Sequence, residues 1–272
     1  MLTLKIYHML PALLNLYGDR GNLSILAQRA HKRGIGLDII PWTPQSVEEQ
    51  NLRLNRADLL FLGGASDKEQ LCALKELQPY KQELKVFIEQ NGPVLAICGG
   101  MQMLGTSLVL SNKPVEGLGL LPCNSVAAPQ ESPLQNKIPN RIIGDVVLDC
   151  PLCKMPVIGY ENHAGRTFFE DSAEGVTAFG RVLNEGIHGN NDREKLDGIL
   201  YKNCIGSYLH GPLLAKNPQL ADAILERMLV HHIDANHQIE ESLERLLPLE
   251  ALDDGLEMQA HTFMLKRLGV GL

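Results

Sequence analysis

Residues 93–105 read Pro93-Val-Leu-Ala-Ile-Cys98-Gly99-Gly100-Met-Gln102-Met-Leu-Gly105. The apolar run before Cys98 is typical of a buried strand, and the residues after the paired glycines favour a helix. Cys98 therefore stands at a sharp strand-to-helix turn, the place where α/β enzymes present a nucleophile. There the helix N-terminus would stabilise a thiolate, and the Gly99 N–H would point towards a developing oxyanion. An arbitrary Cys-Gly-Gly is more often a buried structural cysteine, so the surrounding sequence has to decide.

The chain around this turn alternates between apolar runs and amphipathic segments. Strands are predicted at 2–7, 37–41, 57–62 and 93–98, and helices at 21–34, 68–90 and 101–108. Alternating strands and helices predict the α/β class, with a mostly parallel, flavodoxin-like sheet covered by helices on both faces. Short apolar segments over 115–210 indicate additional antiparallel edge strands. We expect ligands at the carboxyl ends of the parallel strands.

The organisation of the chain is predicted from its helical pattern and its lack of linkers. The pattern is helical again from 217 to 247, and 250–268 is amphipathic. No internal repeat or low-complexity tract divides the chain. We therefore predict one domain over residues 1–240 and a C-terminal helical extension over 241–272.

The overall composition is that of an ordinary globular protein. The 272 residues include 25 basic and 32 acidic side chains, for a net charge of −7, so a broad binding surface for nucleic acid or anionic lipid is not expected. No apolar run is long enough to span a bilayer, and the N-terminus lacks a secretory signal pattern. We expect no transmembrane segment and a cytoplasmic location.

The six cysteines have neither the density nor the spacing of a secreted disulfide framework. The pair in Cys150-Pro-Leu-Cys153 suggests a zinc knuckle at first sight, but no second pair stands at a fitting distance. We therefore predict no metal site. The chain also has no glycine-rich phosphate cradle, so we expect no ATP or other cofactor to bind to it.

Two other strand ends supply candidate partners for Cys98. The strand before Gly63-Gly64 ends in free backbone N–H groups, and the Gly64 N–H is the candidate second oxyanion donor. A late strand, Ile205-Gly-Ser-Tyr-Leu-His210, ends in a histidine that could act as the base for a thiol at the same edge. Each feature alone has a structural explanation; all three at one sheet edge indicate a nucleophilic enzyme.

These residues resemble a known family. The motif Cys98-Gly-Gly-Met-Gln102 with a distant His210 resembles class I (triad-type) glutamine amidotransferases, in the branch that includes cobyric acid synthase. Further segments are similar to the GatD group of glutaminase subunits. They are Asn15-Leu-Tyr-Gly-Asp19-Arg20-Gly-Asn22, Gly63-Gly-Ala-Ser-Asp67-Lys-Glu69-Gln70 and Gly159-Tyr-Glu-Asn162-His163-Ala-Gly165-Arg166-Thr167. The resemblance runs from about residue 4 to about residue 230.

The resemblance implies a reaction and a role for each residue. Cys98 would attack the side-chain amide of L-glutamine, release ammonia and leave a γ-glutamyl thioester that water hydrolyses. His210 would relay protons, and Gly64 and Gly99 would donate to the oxyanion. An amide is a poor electrophile, so the same provisions follow from the chemistry itself.

Two residues are assigned to glutamine binding by the same resemblance. Gln102 would help to hold the glutamine. Arg141 would lie near the glutamine pocket, although a plain surface arginine is the open alternative. The role of Asn162-His163 cannot be derived from the sequence.

The GatD group also implies a partner. It works with a Mur-ligase-like subunit of the MurT type, which uses ATP and Mg²⁺ to amidate the α-carboxylate of D-glutamate in the peptidoglycan precursor lipid II. We therefore expect a heterodimer that meets lipid II through the ligase subunit.

One position departs from the family pattern. Many class I amidotransferases carry Glu two residues after the histidine, but Pro212 stands there in this chain. His210 thus lacks its orienting carboxylate at the expected place. We expect the third group to come from the partner subunit, or to be absent.

Three alternative functions remain open at this point. One is the amidotransferase component of cobyric acid (corrinoid) synthesis. Another is a DJ-1-like cysteine hydrolase on a similar sheet, which Gln102 and the GatD-like segments argue against. The third is a noncatalytic regulatory subunit, against which the presence of both Cys98 and His210 weighs.

Overall fold

The computed structural model describes residues 2–111, 113–128, 140–170, 174–186, 188–235 and 246–271. Within them the strands are β1 (Thr3–Met9), β2 (Gly36–Trp42), β3 (Leu59–Leu62), β4 (Val94–Ile97), β5 (Ser107–Leu110), β6 (Lys113–Glu116), β7 (Cys123–Val126), β8 (Ile142–Asp149), β9 (Val157–His163), β10 (Arg166–Phe169), β11 (Val176–Thr177), β12 (Gly180–Val182), β13 (Leu196–Asp197), β14 (Ile199–Tyr201) and β15 (Cys204–Ser207). The α-helices are α1 (Gly21–His31), α2 (Pro44–Gln50), α3 (Asp67–Leu77), α4 (Lys81–Glu89), α5 (Gly99–Leu104), α6 (Leu213–Lys216), α7 (Pro218–Ala235) and α8 (Gly255–Arg267).

A seven-stranded sheet forms the centre, in the order β11-β14-β15-β4-β3-β1-β2. The five strands from β2 to β15 are parallel, which is the 2-1-3-4-5 order of flavodoxin-like folds. Strands β3 and β4 are buried along their whole length, as expected for strands with helices on both faces. The carboxyl ends of β1, β3, β4 and β15 meet at one edge, and this confirms the predicted fold class.

Two smaller sheets lie beside the central one, in the orders β10-β7-β5-β6 and β13-β12-β8-β9. The predicted antiparallel strands are therefore present, but most of them form separate sheets instead of extending the central edge. Strand β15 is an exception, because it pairs in parallel with β4 inside the central sheet. Strand β9 is joined to the carboxyl edge of the central sheet by a backbone bridge between Tyr160 and His210.

Two helix predictions need correction. The helix predicted over 68–90 is divided into α3 and α4 by a 3₁₀ turn, Gln78–Tyr80, because Pro79 cannot donate the hydrogen bond that would continue α3. The helix predicted to reach residue 108 ends at Leu104. Gly105 is extended there, and the chain continues directly into β5.

The last described segment packs against the domain. Leu265 of α8 is buried with Val147 and Ile158, on the β8–β9 hairpin. Arg29 of α1 pairs with Asp222 of α7 and also with Asp254, just before α8. The predicted boundary between residues 240 and 241 lies outside the described residues, so the domain division stays a prediction. In the part of the chain that the structure describes, no helix is long and apolar enough to cross a membrane.

Candidate active site

Cys98 occupies the turn between β4 and α5. Its backbone has φ 49° and ψ −108°, a conformation that a residue with a β-carbon rarely adopts. The turn is held because the Cys98 N–H donates to the Ser207 carbonyl of β15 at 2.7 Å. Gly100 is required for packing, since a β-carbon there would lie 2.7 Å from the Leu62 carbonyl oxygen. The predicted strained nucleophile turn is thus present.

His210 lies just beyond the carboxyl end of β15 and is fully buried. Its N–H donates to the Tyr160 carbonyl at 2.7 Å, and its carbonyl accepts from the Tyr160 N–H at 3.3 Å. The imidazole Nε2 is buried without a hydrogen-bond partner of ordinary geometry, while Cys98 interacts with the ring. The predicted pair of nucleophile and base is therefore brought together.

Asp19 supplies the carboxylate that the sequence did not reveal. His210 Nδ1–H donates to Asp19 Oδ1 at 2.9 Å, with Oδ2 at 3.1 Å, and both side chains are fully buried. The expectation that this group comes from a partner or is missing is wrong. The loop after β1 brings the carboxylate to the same sheet edge, so Pro212 does not leave His210 without an orienting group.

The protonation of His210 follows from these neighbours. Burial lowers the pKa of His210, but the hydrogen bond with Asp19, the interaction with Cys98 and the charges of both groups outweigh it and raise the pKa to about 10. The imidazolium is therefore the stable form of His210 at neutral pH. An imidazolium in this position is a proton donor.

Gly64 has a different task from the predicted one. Its N–H donates to Asp19 Oδ2 at 2.7 Å, so this N–H is not free to stabilise an oxyanion. The next N–H, of Ala65, has no acceptor among the described residues. Its nitrogen lies 3.1 Å from the position that a β-carbon of Gly99 would take. Ala65 is therefore the better candidate to donate beside Gly99, whose own role stays a prediction.

The position of Gly64 predicts a strong effect of a small substitution. A β-carbon at Gly64 would lie 2.7 Å from His210 Cε1 and 3.1 Å from Asp19 Oδ2. We expect Gly64→Ala to displace the imidazole and to lower glutamine hydrolysis by about 10²-fold. The measurement is glutamate release by the folded variant. Gly271→Ala is the control, because nothing lies within 4 Å of its β-carbon position and its φ lies outside the left-handed region. Equal activity of Gly64→Ala and wild type would contradict this packing.

Gln102 lies on α5, one turn after Cys98, and is buried. Its Nε2–H donates to the Tyr208 hydroxyl at 3.0 Å. Tyr208 is in turn fixed by Asp197, a fully buried carboxylate that accepts from the Tyr208 N–H and from the Ser207 hydroxyl. Burial raises the pKa of Asp197 to about 7, although these hydrogen bonds oppose the shift. Gln102 is thus close to the nucleophile, and its contact with glutamine stays a prediction.

Arg141 is linked to His210 through two intermediate side chains. Its guanidinium donates to the side-chain and backbone oxygens of Asn162 at 2.9 and 2.8 Å. Asn162 Nδ2–H donates to the Tyr17 hydroxyl at 2.8 Å. The Tyr17 ring packs edge-on against His210 at a centroid distance of 5.0 Å. Arg141 therefore lies at the rim of the site.

Sequence reasoning missed three residues of the site: Asp19, Tyr17 and Tyr208. The first two lie in Asn15-Leu-Tyr-Gly-Asp19-Arg20-Gly-Asn22, which carried the family resemblance without an assigned role. Tyr208 stands two residues before His210, where strand alternation alone predicts a core side chain. The polar loop after β1, at the carboxyl edge of the parallel strands, was the available signal for Asp19.

Solved structures with a similar fold are glutamine amidotransferases. A protein described as glutamine amidotransferase superposes with a TM-score of 0.50 and 17% identity, covering 82% of this chain and 98% of the other. The glutaminase domain of Trypanosoma brucei CTPS with bound acivicin has a TM-score of 0.50 and 14% identity, covering 84% of this chain and 94% of the other. At such identities the similarity shows the fold.

The relatives found by sequence comparison indicate a narrower group of proteins than the fold does. This chain is 39% identical to the GatD subunit of the glutamine-hydrolysing lipid II isoglutaminyl synthase of Staphylococcus aureus, over 84% of this chain and 85% of the relative. The GatD subunit of Streptococcus pneumoniae is 36% identical, over 80% and 77%. Cobyric acid synthase of Listeria welshimeri is 29% identical over 57% of this chain, but over only 28% of its own length.

The family model for the CobB/CobQ-like glutamine amidotransferase domain matches residues 5–218. This range includes Cys98, His210 and Asp19, the three side chains that meet at the sheet edge. The match and the GatD relatives confirm the resemblance inferred from the motifs, and they argue against a DJ-1-like hydrolase. This chain belongs to the CobB/CobQ-like glutamine amidotransferase family.

Proposed function

We propose that this chain is the glutaminase subunit of a lipid II isoglutaminyl synthase, and that it supplies ammonia to an ATP-dependent ligase subunit. The observation that carries the chemistry is the hydrogen bond from His210 to Asp19, which leaves His210 Nε2 without a hydrogen-bond partner of ordinary geometry among the described residues, at the sheet edge where Cys98 occupies the turn. The two GatD relatives, which align along most of their own length, support the choice of acceptor.

The first half of the reaction forms an acyl-enzyme. The Cys98 thiolate attacks the γ-carbonyl carbon of glutamine, and the carbonyl oxygen becomes an oxyanion facing the backbone N–H groups of Gly99 and Ala65. His210, as imidazolium, gives its proton to the amide nitrogen, the C–N bond breaks, and ammonia leaves. A γ-glutamyl thioester on Cys98 and a neutral His210 remain.

The second half of the reaction regenerates the enzyme. Neutral His210 takes a proton from a water molecule, whose oxygen attacks the thioester carbonyl. The C–S bond breaks, and glutamate and the Cys98 thiolate are formed beside the imidazolium. Asp19 holds the Nδ1 proton throughout, so that Nε2 faces the reacting atoms. The sum is glutamine plus water giving glutamate plus ammonia.

A ligase partner follows from the fate of the ammonia. Ammonia that escapes into neutral water is protonated and loses its nucleophilic lone pair, so it must pass directly to the acceptor site. We propose a MurT-like Mur ligase as the heterodimer partner, with ATP and Mg²⁺ bound there and none needed by this chain. Its acceptor would be the D-glutamate α-carboxylate of lipid II, which places the complex in the cytoplasm.

The corrinoid alternative receives less support. The cobyric acid synthase relatives match this chain over about three-fifths of its length, and the match spans less than a third of their own. The remainder of those proteins has no counterpart in the alignment. The GatD relatives align along most of their own length and are named as subunits of a synthase, which supports a separate ligase subunit.

Isotope transfer tests the proposal. The chain is purified with a MurT-like ligase and incubated with lipid II, ATP, Mg²⁺ and glutamine labelled with ¹⁵N at the side-chain amide. We expect ¹⁵N in the stem-peptide α-amide, detected by mass spectrometry, even when unlabelled ammonium is in excess. A cobyric acid precursor, offered as the competing acceptor with its own synthetase, should receive no label. Label in the corrinoid and none in lipid II would overturn the proposed acceptor.

A further inference from the structure

The side-chain amide of Gln102 is hydrogen-bonded to a chain of three buried hydroxyl groups. Gln102 Nε2–H donates to the Tyr208 hydroxyl at 3.0 Å. The Tyr208 hydroxyl lies 2.6 Å from Thr167 Oγ1, which lies 2.8 Å from Ser125 Oγ. All three hydroxyl-bearing residues are buried. The chain thus crosses from the end of β15 to the second sheet, where β10 pairs Thr167 with Ser125 of β7.

The direction of these hydrogen bonds follows from the single proton of the Tyr208 hydroxyl. The Tyr208 oxygen accepts from Gln102 Nε2–H, so its own proton is directed to Thr167 Oγ1, 2.6 Å away. Thr167 then donates to Ser125. The nitrogen of the Gln102 amide therefore faces Tyr208, and the oxygen faces away from it.

The neighbours of Tyr208 restrict the movement of its ring and of the Gln102 amide. The His163 ring stacks on the Tyr208 ring at 3.6 Å, with an interplanar angle of 11°. His163 is itself fixed, because its Nδ1–H donates to the Gly165 carbonyl at 2.8 Å and its Nε2 lies 3.5 Å from Glu161 Oε2. A β-carbon at Gly165 would stand 2.2 Å from Gln102 Nε2, so the loop after β9 covers the amide closely.

The oxygen of the Gln102 amide has no such partner. Among the residues that the structure describes, no donor is hydrogen-bonded to Gln102 Oε1. Gln102 lies one helical turn after Cys98, on the short helix α5 that follows Cys98. An acceptor oxygen beside the nucleophile matches the N–H groups of glutamine, which are donors.

We propose that Tyr208 is a positioning residue that orients the Gln102 amide with its oxygen towards glutamine, so that Gln102 accepts a hydrogen bond from an N–H group of the substrate. This inference rests on the proposed glutaminase function. Tyr208 touches neither the reacting carbon nor Cys98 in this role, so its loss weakens glutamine binding and leaves the chemistry of the thiolate in place.

Protection of Cys98 from iodoacetamide separates these two effects. Iodoacetamide alkylates a thiolate without using the glutamine pocket, and bound glutamine blocks it. For Tyr208→Phe we expect the half-protecting glutamine concentration to rise about tenfold, since one hydrogen bond that orients Gln102 is lost. The alkylation rate without glutamine should equal that of wild type. In turnover, KM should rise about tenfold while kcat changes little.

A matched pair at Thr167 tests the hydroxyl chain itself. Thr167→Val keeps the shape but removes the acceptor for the Tyr208 proton, so Tyr208 can turn its proton towards Gln102 and reverse the amide. We expect the half-protecting concentration to rise as in Tyr208→Phe. Thr167→Ser keeps the hydroxyl and should restore wild-type protection. Tyr7→Phe removes a buried phenol hydroxyl from β1, outside the site, and is the control for folding.

The outcomes distinguish this inference from the proposed function. Failure of glutamine to protect wild-type Cys98 would overturn the glutaminase proposal itself. Protection of wild type and Tyr208→Phe at the same glutamine concentration would overturn the role of Tyr208 alone. An altered alkylation rate without glutamine would also overturn it, because Tyr208 would then act on Cys98. Equal effects of Thr167→Ser and Thr167→Val would show that packing, not the hydroxyl, matters.

Discussion

Replacing Cys98 with alanine should abolish glutamine-dependent amidation by the complex with its ligase, by about four orders of magnitude or more. Among the described residues, no other thiol lies at this sheet edge to form the thioester. Amidation at high concentrations of free ammonium, at a pH where some of it is unprotonated, should be unchanged, because the ligase reaction does not need the thiol. The measurement is formation of amidated lipid II with each nitrogen source.

Two comparisons make this result specific to Cys98. Cys72→Ala removes an exposed thiol from α3 and should leave both reactions intact. Loss of the ammonium-dependent reaction in Cys98→Ala would mean that the thiol supports the ligase or the interface. Full glutamine-dependent activity of Cys98→Ala would show that another residue is the nucleophile.

The parts of the site that sequence predicts are those set by local structure. The turn at Cys98 needs an apolar strand, two small residues and a helix start within a few positions, so it is visible in 93–105. His210 follows a strand and is visible for the same reason. The parallel order of β1, β3, β4 and β15 then brings both residues to one edge, because all these strands end on the same side.

The Asp19 contact could not be predicted from spacing. Asp19 and His210 are 191 positions apart, and they meet because β1, β3 and β4 lie side by side in the sheet. The assignment of Gly64 failed for the same reason. Which N–H of a glycine turn is free depends on where a distant carboxylate lies, and Asp19 takes the one at Gly64. The break at Pro79 is different, because proline inside a helical pattern is a readable signal.

The hydroxyl chain behind Gln102 shows what tertiary structure adds to the site. Ser125, Thr167 and Tyr208 come from two sheets, and nothing in their sequence context distinguishes them from ordinary buried residues. The smaller sheets therefore have a task in the site itself. In the proposed arrangement they hold the amide of Gln102, while the central sheet holds Cys98 and His210.

Asp19→Asn should lower glutamine hydrolysis by about 10²- to 10⁴-fold at neutral pH, because an amide orients His210 Nδ1 less well and removes a negative charge beside it. The pH dependence gives the sharper test. Burial lowers the pKa of His210, and the hydrogen bond with Asp19, the interaction with Cys98 and the charges of both groups raise it to about 10. In wild type the imidazolium that is proposed to protonate the leaving amide nitrogen therefore persists as the pH rises towards that value. Without the Asp19 charge the pKa of His210 falls, and the imidazolium is lost at lower pH.

We therefore expect the alkaline limb of kcat/KM for Asp19→Asn to move towards lower pH by about one unit or more. A merely structural role would lower the rate at every pH and leave the limb in place. Asp58→Asn is the matched control, since Asp58 is a buried carboxylate 2.8 Å from His232 and lies outside the site. It should leave the alkaline limb unmoved. If the alkaline limb of Asp19→Asn lies at the same pH as that of wild type, Asp19 does not set the protonation of His210. A carboxylate from the partner subunit would then again be required.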